Sequence, residues 1–301
     1  MNNSVMSFLD ELESESIEII REVKSKFENP ILLFSGGKDS IVLSHLIKKS
    51  FYPAKIPFEF LHVDTGHNFP ETIKFRNKLI EKLDVNLKVV LVEDFIKKGI
   101  IKEQKGNNSS RNELQIPVLN DYIEKNNIDA AIGGARRDEE KARAKERFFS
   151  HRNEFGHWNP KNQRPEVWKN FNSNLNKGEH FRVFPISNWT EMDIWSYIKR
   201  ENIELPSLYF SHKRDCIKRE GKFLAVSKFI NIDSNEKIIN VDIRFRTCGD
   251  LTITGALLSK AMTVDQIIKE LESLNTTERE SRFDDKKSDN SMEERKKLGY
   301  F

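Results

Sequence analysis

Cysteine is nearly absent: Cys216 and Cys248 are the only two in 301 residues. That excludes a disulfide-stapled secreted scaffold, and their separation lacks the paired spacing of a zinc or iron–sulfur site. A reducing cytoplasm is the expected compartment. An excess of one charge is missing too: 50 Lys and Arg against 47 Asp and Glu leave a formal +3, although 32% of the residues are charged. No global field of the kind that drives nucleic-acid binding follows from that balance. No stretch approaches the ~18 apolar residues of a membrane span. Asp10, Glu11, Glu13 and Glu15 stand where a signal peptide needs a basic start. The chain is long enough to bury a substantial core without staples.

What is present is an alternation of short apolar runs and helical patterns. Leu9, Leu12, Ile19, Val23 and Phe27 recur at helical spacing, so residues 7–27 read as an amphipathic helix, ended by Asn29-Pro30. Residues 31–34 then read as a buried strand, followed by a Ser-Gly-Gly loop and a helix carrying Ile41, Val42, His45 and Leu46. The pattern repeats as strand 58–63, helix 70–83, strand 87–92, helix 118–125 and strand 130–133. Strands alternating with helices predict an α/β fold, a doubly wound, mostly parallel sheet with helices on both faces. Residues 104–113 and 153–181 are polar and read as functional or mobile loops. Residues 183–186 read as a last core strand, and Thr190 as the N-cap of a helix carrying Ile194, Trp195 and Ile198. From Asn275 to Tyr300 the chain is almost all polar, which by composition alone favours a disordered tail.

The chemistry concentrates in Ser35-Gly36-Gly37-Lys38-Asp39-Ser40, between the first strand and its helix. A parallel sheet binds ligands at that point. Two glycines let successive N–H groups converge on an anion, and the helix N-terminus adds about half a unit of positive charge. Ser35 and Ser40 offer hydroxyl donors, Lys38 a point charge, and Asp39 a carboxylate able to hold Mg2+ against phosphate oxygens. A plain Gly-Gly turn capped by Ser leaves Lys38 and Asp39 unexplained. No Walker loop occurs anywhere in the chain. Asp64, at the end of the second strand, is placed to reach a ribose or base, or simply to cap the turn; His62 reads as structural. After the strand at 130–133, Gly133 and Gly134 let a ligand approach the backbone, and Arg136 and Arg137 offer guanidinium forks to an oxyanion. From Lys141 to Arg147 the charges at i,i+4 read as a solvated helix face.

These stretches, together with residues 158–168, 182–195 and the terminal 292–301, resemble the phosphoadenosine-phosphosulfate reductase branch of the PP-loop ATP pyrophosphatase superfamily. Within it, they are most similar to the small catalytic subunits of bacterial sulfate adenylyltransferases. The resemblance spans nearly the full length. It implies an adenine nucleotide alpha hydrolase-like fold that holds ATP with Mg2+ across residues 35–40, with Asp64, Gly133 and Gly134 on the adenosine side. Sulfate would attack the α phosphorus to give adenosine 5′-phosphosulfate and pyrophosphate, with Lys38, Arg136 and Arg137 stabilising charge. The same resemblance implies coupling to a larger GTPase subunit, a separate partner because this chain has no GTPase motif. The expected organisation is an N-terminal helix over 1–27, the ATP-binding domain over 28–250, and a helical extension with a polar tail over 251–301. That tail, by the same resemblance, docks the partner or closes over the site.

One stretch departs from the family pattern. Cys248 stands where an aliphatic residue is usual and Asp250 where cysteine is frequent, which puts an essential thiol in doubt. Arg244 and Arg246, two apart on an expected strand, would point the same way, either as part of an anion site or as a surface pair. Three other readings compete with the transferase. A sulfonucleotide reductase needs a nucleophilic cysteine in a C-terminal segment, and none follows Asp250. A tRNA-adenylating enzyme needs a basic surface. A non-catalytic ATP-binding module would leave the set of Ser, Lys, Asp and Arg residues without a purpose.

Overall fold

The computed structural model describes residues 7–103, 110–139, 144–158 and 173–274, together with residues 163, 165–166, 168, 170–171, 278 and 282–283. Parts of the expected loops, residues 140–143 of the charged helical run and the terminal 284–301 lie outside the described residues.

Helix α1 (Phe8–Lys26) starts at a capping box in which Ser7 and Asp10 satisfy each other's backbone N–H groups. Strand β1 (Pro30–Leu33) is buried at all four positions, as expected of a strand covered on both faces. Helix α2 (Lys38–Phe51), β2 (Glu59–Asp64), α3 (Pro70–Leu83) and β3 (Leu87–Leu91) follow. A short α4 (Val92–Lys97) then continues directly from β3, followed by α5 (Gln115–Lys125), β4 (Ala130–Ile132), β5 (Phe149–Arg152) and β6 (His180–Val183). The six strands form one sheet in the order β3-β2-β1-β4-β6-β5, parallel throughout except for β5 against β6. The expected doubly wound, mostly parallel sheet is therefore present.

Alternation along β1 separates the two layers. Leu32 faces a cluster with Ile19, Ile20 and Val23 of α1 and Leu43 and Leu46 of α2. Ile31 and Leu33 face Leu119 and Ile123 of α5. Helix α6 (Glu191–Arg200), capped by Thr190 and Asp193 in a second capping box, joins the first layer through Ile194, Trp195 and Ile198. Strand β6 ends at Val183 and does not run over 183–186: Pro185 has no N–H to donate, and the chain turns with Ser187 N–H donating to the Phe184 carbonyl at 3.0 Å. The strand extends instead backwards over His180 and Arg182, both buried, which an apolar-run criterion passes over.

A second sheet was not foreseen. Strands β7 (His212–Arg219), β8 (Lys222–Ala225), β9 (Ile239–Phe245) and β10 (Gly255–Leu258) close into a small antiparallel barrel. Its strands lie on both sides of the expected boundary at residue 250. Helix α7 (Val264–Ser273) follows. The barrel meets the main sheet through Phe69, whose ring lies 4.7 Å from that of Phe245, and through Leu251 N–H, which donates to the His67 carbonyl at 2.9 Å. Among the described residues no helix is long and apolar enough to cross a membrane.

Helix α1 is fastened by one buried polar contact. Trp189 Nε1–H donates to Ser16 Oγ at 3.0 Å, and that hydroxyl lies 2.9 Å from the carbonyls of both Leu12 and Pro185. Ser16→Ala leaves the indole N–H and the Pro185 carbonyl buried without this partner, and is expected to lower unfolding free energy by about 1–3 kcal/mol. Urea denaturation checks this; an unchanged midpoint contradicts it.

Candidate active site

The order of the sheet decides where the site lies. The chain leaves β1 towards β2 on one side, while β4 pairs with β1 on the other, so a crevice opens beyond the carboxyl ends of β1 and β4. Residues 35–40 follow β1 and residues 133–136 follow β4. Both candidate stretches are thus brought to one place.

Gly36 has φ +80°, and a Cβ there would sit 2.8 Å from Thr72 Cγ2 of α3, so only glycine fits. The next turn is held by hydroxyls. Gly36 N–H donates to Ser40 Oγ at 3.1 Å, Gly37 N–H to Ser35 Oγ at 3.3 Å, and Lys38 N–H to Tyr209 Oη at 2.7 Å. Three consecutive backbone donors at the start of α2 are thus each taken up by a different side-chain hydroxyl, which fixes the shape of the loop at a helix N-terminus. Gly134 is constrained by contact: a Cβ would meet the Asp39 carbonyl carbon at 3.3 Å, so the β4 loop presses on the first turn of α2.

That approach brings Arg136 to Asp39. Arg136 Nε donates to Asp39 Oδ1 at 2.7 Å and Lys38 Nζ to Asp39 Oδ2 at 3.1 Å. Glu278 completes the group, with one oxygen on Lys38 Nζ and the other 2.5 Å from Arg136 Nη2. Lys38 and Arg136 are 0% and 1% exposed. Burial alone would depress both cations, but Asp39 and Glu278 outweigh it and hold them above their ordinary values. Burial likewise works against ionised Asp39, and Lys38 and Arg136 overcome it, so its carboxyl stays below the usual range. For Glu278 burial prevails and raises the carboxyl to about 7.

In front of this group lies a cavity of about 210 Å3. Leu33, Leu61, Val63 and Leu119 give it an apolar wall, Gly133 and Gly134 an open backbone edge, and Thr247 to Asp250 the opposite rim. An apolar slot beside a cluster of fixed charges suits a flat aromatic base joined to an anion. A wider groove of about 370 Å3 between α2 and α3 touches none of residues 35–40.

The phosphoadenosine phosphosulfate reductase domain family matches residues 29–256. Sulfate adenylyltransferase subunit 2 of Mycolicibacterium gilvum is 52% identical over 297 residues, covering 98% of this chain and 95% of that protein. Sulfate adenylyltransferase subunit 2 of Streptomyces lavendulae is 50% identical over 297 residues, covering 98% and 92%. This chain belongs to the sulfate adenylyltransferase subunit 2 family. Among solved structures, phosphoadenylyl-sulfate reductase from Candida auris aligns with a TM-score of 0.43 at 16% identity, over 68% of this chain and 91% of that one.

Not every expected residue of this family member gathers at the loop. Arg137 turns away, donating to the Glu146 carbonyl at 3.2 Å and to Asn188, with its guanidinium 5.0 Å from the Phe148 ring. Arg244 and Arg246 are buried but separate: Arg244 Nε donates to Glu270 at 2.7 Å, whereas Arg246 pairs with Glu191. Neither lines the cavity. Asp64 does not line it either; its Oδ1 accepts from Gly66 N–H at 2.8 Å and Asn68 Nδ2 at 3.0 Å, which is turn capping. Cys248 does line it, with burial pushing its thiol up to about 12, and Cys216 is pushed up to about 11. Asp250 ties the rim to β2 by accepting from Thr65 Oγ1 at 2.5 Å. Tyr209, Glu278 and the cavity-lining Arg282 have no signal in the sequence, since none sits in a motif or a periodic run.

His62 lies at the crevice floor. Its Nδ1 is 2.8 Å from the Phe34 carbonyl, which can only accept, so Nδ1 carries a proton. Burial, aided by Arg76, lowers its pKa to about 4. A folded-state value below 6.5 means that the unfolded chain binds the extra proton first, so stability falls as pH drops from about 6.5 towards 4. His62→Asn keeps a donor for Phe34 and removes the titration. The acid loss in the variant is expected to be smaller than in the unaltered chain by on the order of 3 kcal/mol across that window. Denaturation at stepped pH measures it; parallel curves contradict it.

Proposed function

We propose that this chain transfers the adenylyl group of ATP to sulfate, releasing pyrophosphate and adenosine 5′-phosphosulfate. The observation that carries the reading is the convergence of Lys38, Asp39 and Arg136 at the amino end of α2, beside an apolar slot at the switch point of the sheet. The name borne by relatives at 50–52% identity supports sulfate as acceptor. A sulfate oxygen would attack the α phosphorus while the bond to the β-phosphoryl oxygen breaks. Sulfate is already ionised, so no general base is needed. What the protein contributes is position and charge: the amino end of α2, with Lys38 and Arg136, balances the charge that grows on departing pyrophosphate.

Mg2+ would come with ATP. Asp39 is the carboxylate able to hold it, being ionised at neutral pH and lining the cavity. Its two oxygens already face Lys38 and Arg136, and among the described residues no group of three His, Cys, Asp or Glu side chains could cage a metal. One carboxylate plus phosphate oxygens is a usual arrangement for Mg2+, which bound there would neutralise phosphate charge. The phosphate–sulfate anhydride is high in energy, so we include coupling to a GTPase partner; the "subunit 2" in the relatives' name supports a second subunit. A reductase reading is disfavoured, because a thiol held near 12 supplies little thiolate.

The test mixes the chain with ATP, Mg2+ and sulfate, with and without the GTPase partner and GTP, and follows pyrophosphate and adenosine phosphosulfate. Both products are expected to depend on sulfate and to rise with partner and GTP. Lys38→Ala and Arg136→Ala are each expected to lower kcat by about 100-fold or more, with circular dichroism confirming that the variants fold. ATP cleavage indifferent to sulfate with partner present would overturn the acceptor.

A further inference from the structure

The two cations that the proposed reaction needs do not border the cavity. The carboxylates that hold them, Asp39 and Glu278, do. Asp39 is fixed in the first turn of α2, but Glu278 arrives from 240 residues beyond Lys38. Its two oxygens are divided, one to Lys38 Nζ and one to Arg136 Nη2. A carboxylate edge spanning an ammonium and a guanidinium makes the contacts that two oxygens of a phosphoryl or sulfuryl group would make.

The neighbouring residues are fastened elsewhere. The Arg282 carbonyl accepts from Lys222 Nζ at 2.6 Å, and Phe283 N–H donates to the Ile253 carbonyl at 3.0 Å. The Phe283 ring packs against the cluster of Ile217, Leu224 and Ile230 inside the barrel. Glu278 thus pairs at the main sheet, while Arg282 and Phe283 are held by the second one. Charge gives a further reason for exchange. Asp39 and Glu278 offset the charge of Lys38 and Arg136 and so reduce what this group offers a polyanion. Of the two carboxylates, Glu278 is the more poorly stabilised, since its burial outweighs both cations.

We propose that Lys38 and Arg136 form an oxyanion seat whose resident is Glu278, and that substrate binding exchanges this carboxylate for a phosphoryl or sulfuryl edge. Glu278 is then a self-inhibitory group, displaced by ligand in proportion to the ligand's charge. Naming ATP, pyrophosphate and sulfate as the ligands rests on the adenylyl-transfer reading; the exchange does not.

Glu278→Gln keeps the shape and removes the charge. The variant and the unaltered chain are titrated calorimetrically, in Mg2+, with pyrophosphate, with an α,β-methylene ATP analogue and with sulfate alone. A resident that holds the seat about nine-tenths of the time weakens apparent affinity about tenfold, so the variant is expected to bind at least one of these ligands about tenfold more tightly. A gain for pyrophosphate and the analogue makes the seat a phosphoryl site, whereas a gain for sulfate alone makes it the acceptor site. No gain for any of the three overturns the proposal. Should Glu278→Gln fail to fold, hydrogen exchange in the unaltered chain reads the same event: saturating pyrophosphate or sulfate is expected to speed exchange in the peptide containing Glu278, and unchanged rates with both overturn it. These measurements read binding and need no product, so a chain that fails to make adenosine phosphosulfate can still pass or fail them.

Discussion

Four groups beside the cavity, Lys38, Asp39, Arg136 and Glu278, form the interaction on which the site depends. An unpaired buried ion costs several kcal/mol, so each of the four needs the others in place. They come from three separate parts of the chain. Asp39 and Lys38 ride on α2, Arg136 follows β4, and Glu278 comes from beyond α7. The parallel pairing of β1 with β4 sets the first two beside each other, and the absence of a side chain at Gly134 permits the contact. The cluster is therefore a consequence of strand order, and it stores two cations where a phosphate chain is expected to end.

The barrel completes what the parallel sheet begins. A doubly wound sheet offers a crevice open on one side. Here residues 247–250, between β9 and β10, close that side, held by Asp250 on Thr65 and by Leu251 on the His67 carbonyl. Arg214 of β7 reinforces the joint, pairing with Glu71 and lying 5.7 Å from the Phe69 ring. The same barrel holds Arg282 and Phe283, a few residues beyond Glu278 in sequence. A single added layer thus supplies a cavity wall and holds the chain just beyond the resident of the anion seat.

The part of the main sheet from β1 to β4 was legible because its strands carry apolar runs and its helices 3.6-residue periodicity, and the helix over 70–83 needed no adjustment; β5, which reads Phe-Ser-His-Arg, was not foreseen, and the polar His180 and Arg182 displaced the expected position of β6. The phosphate-type loop was legible because its glycines, lysine and aspartate follow a buried strand. The barrel was not. Strand β7 reads His-Lys-Arg-Asp-Cys-Ile-Lys-Arg, with two adjacent apolar residues in place of an alternation, so its pattern carries no period of two. Arg244 and Arg246 resemble an anion pair in sequence, yet β9 ends at Phe245 and the two side chains meet different carboxylates. Glu278 sits in a polar tail whose composition favours disorder; only a long-range ion pair distinguishes it, and that has no local signature.

The most direct test of the account is isotope exchange between labelled pyrophosphate and ATP in the presence of Mg2+. Direct transfer between two bound anions, with Lys38 and Arg136 supplying charge and no covalent adenylyl-enzyme, predicts that label enters ATP only when sulfate is present. Exchange that proceeds equally well without sulfate would contradict it, since the adenylyl group would then rest on the protein itself.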